Sequence, residues 1–221
     1  MSAVADIIYR NGAIYTVDTK RTWASAVAIR NGKFIYVGDN TGSQSFIGPE
    51  TEIIDLNGRM AMPGLHDMHI HGVEGAKSHL FHCQFPMTAT VDDIAATVAN
   101  FAANKPDEAC IVGGAWYMTL ADKLDKATLD TACPDRPVFL WDSSHHNAWV
   151  NSKLLEMAGI TEDTPDPEGG TFVKNADGQL TGLLLETASA VAAKVIPDRT
   201  QAEYGRAIEW LGTMLNGYGV T

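Results

Sequence analysis

Over the first sixty positions, apolar residues come in short runs broken by turn residues; further on the runs lengthen and mix with helical spacing. The breaks are Asn11-Gly12, Asn31-Gly32, Gly38-Asp39-Asn40 and Asn57-Gly58. Asn-Gly pairs tolerate the positive φ of tight turns, so the first two predict hairpins or tight turns between short strands. Strands this short and alternating bury one face most simply as a small antiparallel sandwich, here residues 1–61.

Beyond residue 61 the period changes. Thr90-Val91-Asp92-Asp93 fits a capping box, and the stripe Ile94, Val98, Phe101 after it predicts a helix. Residues 110–114 and 138–141 read as buried strands. Asn147 is a candidate cap for a helix running through Met157, with Gly159 just past its end. Thr171-Phe172-Val173 and Leu180-Thr181-Gly182 flank Asn175-Ala176-Asp177-Gly178, a hairpin pattern. A second capping box, Thr200 to Glu203, opens a stripe of Tyr204, Ala207, Ile208, Leu211, Met214 and Leu215 that Asn216-Gly217 stops. Gly219-Val220-Thr221 reads as the start of a further buried strand. Strand backbone needs partners, so the chain is expected to be the N-terminal part of a longer protein.

The candidate chemistry lies between these blocks. After the rigid turn Pro63-Gly64 come Leu65-His66-Asp67-Met68-His69-Ile70-His71. In a strand, alternate side chains share a face, which would put His69 and His71 together, roughly 6.5–7 Å apart along the backbone, with Asp67 one step before. Two neutral imidazoles converging from one strand can bind a single metal ion. A His-x-His pair also arises by chance on surface strands, so the neighbouring residues carry weight.

Composition narrows the partners. A formal charge of −11 argues against nucleic acid and against anionic membrane surfaces. No apolar run approaches the roughly 20 residues of a membrane-spanning helix, and no basic-then-apolar leader opens the sequence. Cys83, Cys110 and Cys133 are odd in number and widely spaced, which predicts reduced, buried thiols and a cytoplasmic protein.

Pro63, Gly64, Asp67, His69 and His71 together resemble the first-strand motif of the amidohydrolase superfamily of metal-dependent hydrolases. Residues 5–12 and 26–38 are similar to the opening strand and hairpin of that superfamily's small β-sandwich. A narrower resemblance, to the amidohydrolase 3 group with its N-substituted formamide deformylases, rests on residues 134–140, 146–152, 164–170 and 177–186. What the resemblance implies is an α/β fold: a partial (β/α)8 barrel over residues 62–221, preceded by an incomplete sandwich over 1–61 and carrying an α+β insertion at about 85–182. It implies a divalent metal, Zn²⁺ first, held partly by His69 and His71, and a small-molecule substrate with an amide- or formamide-type carbon–nitrogen bond. The family's remaining ligands and its proton-shuttling carboxylate come from later strands, so no catalytic residue is assignable here with Glu186 as the one possibility.

Three further residues keep two readings each. Glu186 ends an apolar strand pattern, where a carboxylate faces the mouth of a barrel or caps the helix that starts near Thr187. His146 matches the His of the family's Asp-Gly-His-x-Ala-Trp pattern, with His145 in place of the Gly, and reads as a residue that contacts substrate or supports one that does, or else as a helix cap or surface residue. Trp116, after Gly113-Gly114-Ala115, reads as an apolar wall for substrate or as a buried strand end. His79 and His82 read as surface or structural. Two functions follow: a metal-dependent hydrolase of carbon–nitrogen bonds, or a non-catalytic half-barrel that self-associates or joins a complementary C-terminal half.

Overall fold

A computed structural model describes residues 3–221. Contacts divide the chain into two compact units: residues up to Met68 together with Leu215–Thr221, and His69–Met214.

In the first unit the strands are β1 (Ile7–Arg10), β2 (Ala13–Tyr15), β3 (Trp23–Ala24), β4 (Ala26–Arg30), β5 (Lys33–Gly38), β6 (Glu52–Asp55) and β7 (Met60–Ala61), with a short helix α1 (Asn40–Ser43) after β5. They form a four-stranded sheet ordered β5-β4-β1-β6 and a three-stranded sheet ordered β3-β2-β7. Asn31 (φ 49°) and Gly32 (φ 69°) close the β4–β5 hairpin as their sequence predicts. Asn11 (φ 56°) also turns tightly, but it passes the chain from one sheet to the other rather than making a hairpin. The sheets are mixed rather than purely antiparallel, because β6 and β7 return beside β1 and β2 in parallel. The unit reaches past residue 61 for a local reason. The Leu65 N–H donates to Gly219 O (2.7 Å) and the Thr221 N–H donates to Leu65 O (2.9 Å), an isolated parallel bridge.

The second unit runs α2 (Gly72–Phe81), β8 (Cys83–Gln84), α3 (Val91–Asn104), β9 (Ile111–Trp116), α4 (Lys126–Ala132), β10 (Val138–Asp142), β11 (Ala148–Val150), α5 (Ser152–Ala158), β12 (Gly170–Lys174), β13 (Leu180–Glu186), α6 (Thr187–Ala193) and α7 (Gln201–Gly217). Its six strands are ordered β12-β13-β11-β10-β9-β8. Strands β8, β9 and β10 are parallel, and β11 is antiparallel to both β10 and β13. Consequently β8, β9, β10 and β13 all end on one side of the sheet. One face packs Ile111, Val138, Leu140 and Trp149 against Ile94 and Val98 of α3 and Leu129 of α4. The other packs Val112, Phe139 and Leu184 against Leu154 of α5 and Ala188 of α6. Both faces are covered, which explains why β10 reads as a continuous apolar run. The architecture is mixed α/β, and no closed barrel is formed among the described residues.

Both capping boxes form: Thr90 and Asp93 close the start of α3, and Thr200 and Glu203 close the start of α7. The β12–β13 hairpin forms as well. The helix expected from Asn147 does not start there. Residues 148–150 are the buried strand β11, and the cap falls four residues later, at Asn151. Asn151 is fully buried, and its Oδ1 accepts from the N–H groups of Val138 (2.9 Å) and Leu154 (3.0 Å) while its Nδ2 donates to Cys133 O (3.1 Å) and Arg136 O (2.8 Å). An Asn151→Ala chain would leave these buried groups unpaired, and its urea unfolding is expected to report a loss of about 2–3 kcal/mol. An unchanged midpoint would deny Asn151 this role.

The three cysteines are free and buried, and burial pushes the thiols of Cys83 and Cys110 up to about 12. Among the described residues no helix is long and apolar enough to cross a membrane.

Candidate functional site

Residues 66–71 are not a strand. After the single bridge at Leu65 the chain bends at Met68-His69, and α2 begins at Gly72 with His71 in its N-cap position. The alternation argument for His69 and His71 therefore fails, yet the bend still brings the two exposed imidazoles together, with ring centroids 5.3 Å apart and planes at 74°. The separation suits a shared ion: zinc bound about 2.0–2.1 Å from a ring nitrogen lies roughly 3 Å from that ring's centre, which sets two tetrahedrally placed imidazoles roughly 5 Å apart. Two nitrogens are half of a zinc first shell. Among the described residues no group of three or more His, Cys, Asp or Glu side chains is assembled to hold a metal.

His146 and Glu186, far apart in sequence, meet at the strand ends. The His146 Nδ1 lies 3.0 Å from Glu186 Oε2, and both side chains are more than half exposed (65% and 57%). Glu186 occupies the N-cap position of α6 but makes no side-chain cap, so its carboxylate serves the imidazole instead. Its backbone sits at φ 52°, ψ −124°, and His145 at φ 60°. Such conformations cost a non-glycine residue on the order of 1–3 kcal/mol and persist only where surroundings hold them.

Those surroundings start from Asp142, the fully buried last residue of β10. Its carboxylate accepts from the N–H groups of His146 and Asn147 (both 3.1 Å), from Asn147 Nδ2 (2.9 Å) and from Ser144 Oγ (2.7 Å). Burial pushes its pKa up, but these hydrogen bonds outweigh burial and hold it below the usual aspartate value. Asn147 passes the order on, its Oδ1 accepting the Glu186 N–H at 3.1 Å. Ser189 Oγ lies 2.7 Å from the carbonyl oxygens of both His146 and Glu186, and its single proton serves them in turn. At the neighbouring strand end, Gly114 (φ 153°) lets β9 approach β10, since a Cβ there would stand 2.8 Å from Trp141 O.

Trp116 is placed differently from a substrate wall. It is 1% exposed in the core, and its Nε1–H donates to Leu140 O at 2.8 Å, so neither its face nor its donor is open to a ligand. His79 stacks on Trp210, with ring centroids 4.3 Å apart. His82 is part-buried beside Ser78 Oγ (3.1 Å), and burial first, then Lys77 and Arg199, push its pKa down to about 4. A cavity of about 630 Å³ in this unit is lined by His82, Arg199 and Trp141 among others, and by none of His69, His71, Trp116, His146 or Glu186. Sequence reasoning passed over Asp142 and Ser189, and took Asn147 for a helix cap rather than a link to Glu186. The available signal was a lone carboxylate closing the apolar run of residues 138–141.

The comparisons with known proteins agree with the motif. The profile of the amidohydrolase family matches residues 52–221. The N-substituted formamide deformylase of Arthrobacter pascens is 29% identical over 223 residues, 99% of this chain and 41% of that protein. The putative amidohydrolase YtcJ of Bacillus subtilis is 34% identical over 204 residues, 88% of this chain and 37% of that protein. The crystal structure of an uncharacterized metal-dependent hydrolase from Pyrococcus horikoshii superposes with a TM-score of 0.70 at 25% identity, over 97% of this chain and 41% of that one. The chain thus spans about two fifths of the length of these proteins. With more than half of its length matched by the family profile, this chain belongs to the amidohydrolase family.

Proposed function

We propose that the chain carries the first metal-binding half of a hydrolase that cleaves carbon–nitrogen bonds of the amide or formamide type in small molecules. His69 and His71 would supply two ligands to a divalent ion, zinc by preference since imidazole suits it and tetrahedral placement fits their spacing. The chemistry such an ion supplies when bound is Lewis acidity toward a carbonyl and toward water. This chain's own contribution is to present two imidazoles next to a helix start and, at the strand ends, to hold His146 against Glu186 where a substrate's polar groups can be met. Within the family's expected (β/α)8 barrel, these two would be the ligands that follow the first strand position at Leu65, and the remaining ones would come from later strands. The observation that carries the reading is the 5.3 Å approach of the His69 and His71 rings.

A second reading, a non-catalytic half-barrel that associates with itself or with a complementary C-terminal half, draws on two observations. Among the described residues no third ligand joins the pair. The first unit also carries an open apolar cavity of about 390 Å³ lined by Tyr9, Ile14, Val27, Phe34, Val37 and Met62 among others. Zinc titration and sedimentation of the chain separate the two. Zinc uptake that His69→Ala removes is expected if the chain is part of a hydrolase. A chain that takes up no zinc and sediments as an oligomer supports the second reading and defeats the first.

A further inference from the structure

We propose that Asn31 is a site of spontaneous covalent modification, where the chain deamidates through a succinimide formed with Gly32 ahead of its three other Asn-Gly pairs. The step needs water alone. The Gly32 nitrogen gives up its proton to hydroxide and attacks Asn31 Cγ. A new N–C bond forms, the Cγ–Nδ2 bond breaks, and the amide leaves as ammonia with a proton taken from water. Water then opens the ring at one of its two carbonyls, leaving aspartate or isoaspartate at position 31. Glycine suits the attack because it has no Cβ to crowd the ring. The candidate pairs are Asn11-Gly12, Asn31-Gly32, Asn57-Gly58 and Asn216-Gly217.

Elsewhere the reacting groups are engaged. Asn11 Nδ2 donates to Asp55 Oδ2 at 2.6 Å, and the Gly12 N–H donates to Ser25 O at 3.3 Å. The Gly58 N–H donates to Asn11 O at 2.7 Å, and Asn57 Nδ2 reaches Asp55 O at 3.4 Å. Asn216 and Gly217 lie within α7, whose helical ladder uses the Gly217 N–H. At Asn31 the main-chain N–H donates to Asp6 Oδ2 at 2.7 Å, which leaves the side chain out. Neither the Asn31 amide nor the Gly32 N–H meets an acceptor among the described residues. Both residues are exposed, and a Cβ on Gly32 would meet nothing within 4 Å, so the ring has room to form. Because β5 is an edge strand, the hairpin tip can open without displacing a neighbouring strand. Charge points the same way. Arg30 and Lys33 flank the pair, and their cations favour the anionic nitrogen that attacks, outnumbering Asp6. None of the other pairs has a cation on both sides. Either product sets a second carboxylate beside Asp6, and isoaspartate also lengthens the turn's backbone by a methylene.

The test is peptide mass mapping of the whole folded chain after incubation in warm, mildly alkaline buffer. Chymotrypsin is the protease, because trypsin would cut at both Arg30 and Lys33. Isoaspartate is told from aspartate by electron-transfer fragmentation. A hydrogen bond that must break first slows a step by roughly twofold to tenfold, so Asn31 is expected to convert about fivefold or more faster than each other pair. In concentrated urea those hydrogen bonds are gone, and the rates at the Asn-Gly pairs should converge. A folded chain in which Asn11, Asn57 or Asn216 converts as fast as Asn31 overturns the proposal. So does one in which Asn31 stays intact over a time that converts it in urea. Neither zinc nor substrate enters this readout, so its outcome is independent of the functional reading above.

Discussion

Alanine at both His69 and His71 is expected to weaken zinc binding to the chain by about 100-fold or more. Loss of an outer partner of a metal ligand alone costs about 10- to 100-fold, and here both direct ligands go. The effect should be specific. The rings are exposed and meet across a bend, so their removal takes away no core packing, and the double variant should still unfold cooperatively in urea. Competition titration with a zinc chelator dye reads the affinity. Double substitution of His79 and His146 serves as the control, since one ring is stacked on Trp210 and the other is paired with Glu186. Equal affinity in wild type and His69/His71 variant would remove the metal from this part of the chain.

Asp142→Ala is expected to cost about 3–4 kcal/mol in urea unfolding, because it strands the N–H groups of His146 and Asn147 and the Asn147 amide in a buried setting. It should also release the His146–Glu186 pair, because Asn147 is the link that holds the Glu186 N–H. The pH dependence has a definite sign. The folded-state pKa of Asp142 is lowered from 3.8, so its stabilisation is fully present above that ordinary value and is lost as pH falls through the lowered one. Wild-type unfolding followed from pH 6 to pH 2.5 should therefore lose stability below about pH 4, and Asp142→Asn should lack that share of the loss. A variant as stable as the wild type, or one with the same acid limb, would contradict the network.

What could be read from the sequence was local. Thr90 with Asp93, Thr200 with Glu203, the Asn31-Gly32 turn and the β12–β13 hairpin each depend on residues within a few positions of one another, and each forms as its residues predict. The failures are long-range. Ala148-Trp149-Val150 lies between two asparagines that could each cap a helix. Pairing with β10 and β13 makes it a strand and leaves the cap to Asn151. Residues 66–71 read as a strand, but only Leu65 finds a strand partner, so the chain bends instead. The His146–Glu186 contact was out of reach for the same reason. Forty positions separate them, and the sheet order that joins their strand ends is set by packing on both faces. Trp116 belonged to a motif segment, and the strand that carries it turns the indole inward to a carbonyl of β10.

X-ray absorption at the zinc edge, on the chain loaded with one equivalent of zinc, tests the shared-ion claim most directly. The account predicts a first shell containing two imidazole nitrogens at about 2.0–2.1 Å, with that imidazole scattering lost when His69 and His71 are both alanine. A shell containing sulfur at about 2.3 Å, or one unchanged in the double variant, would contradict it.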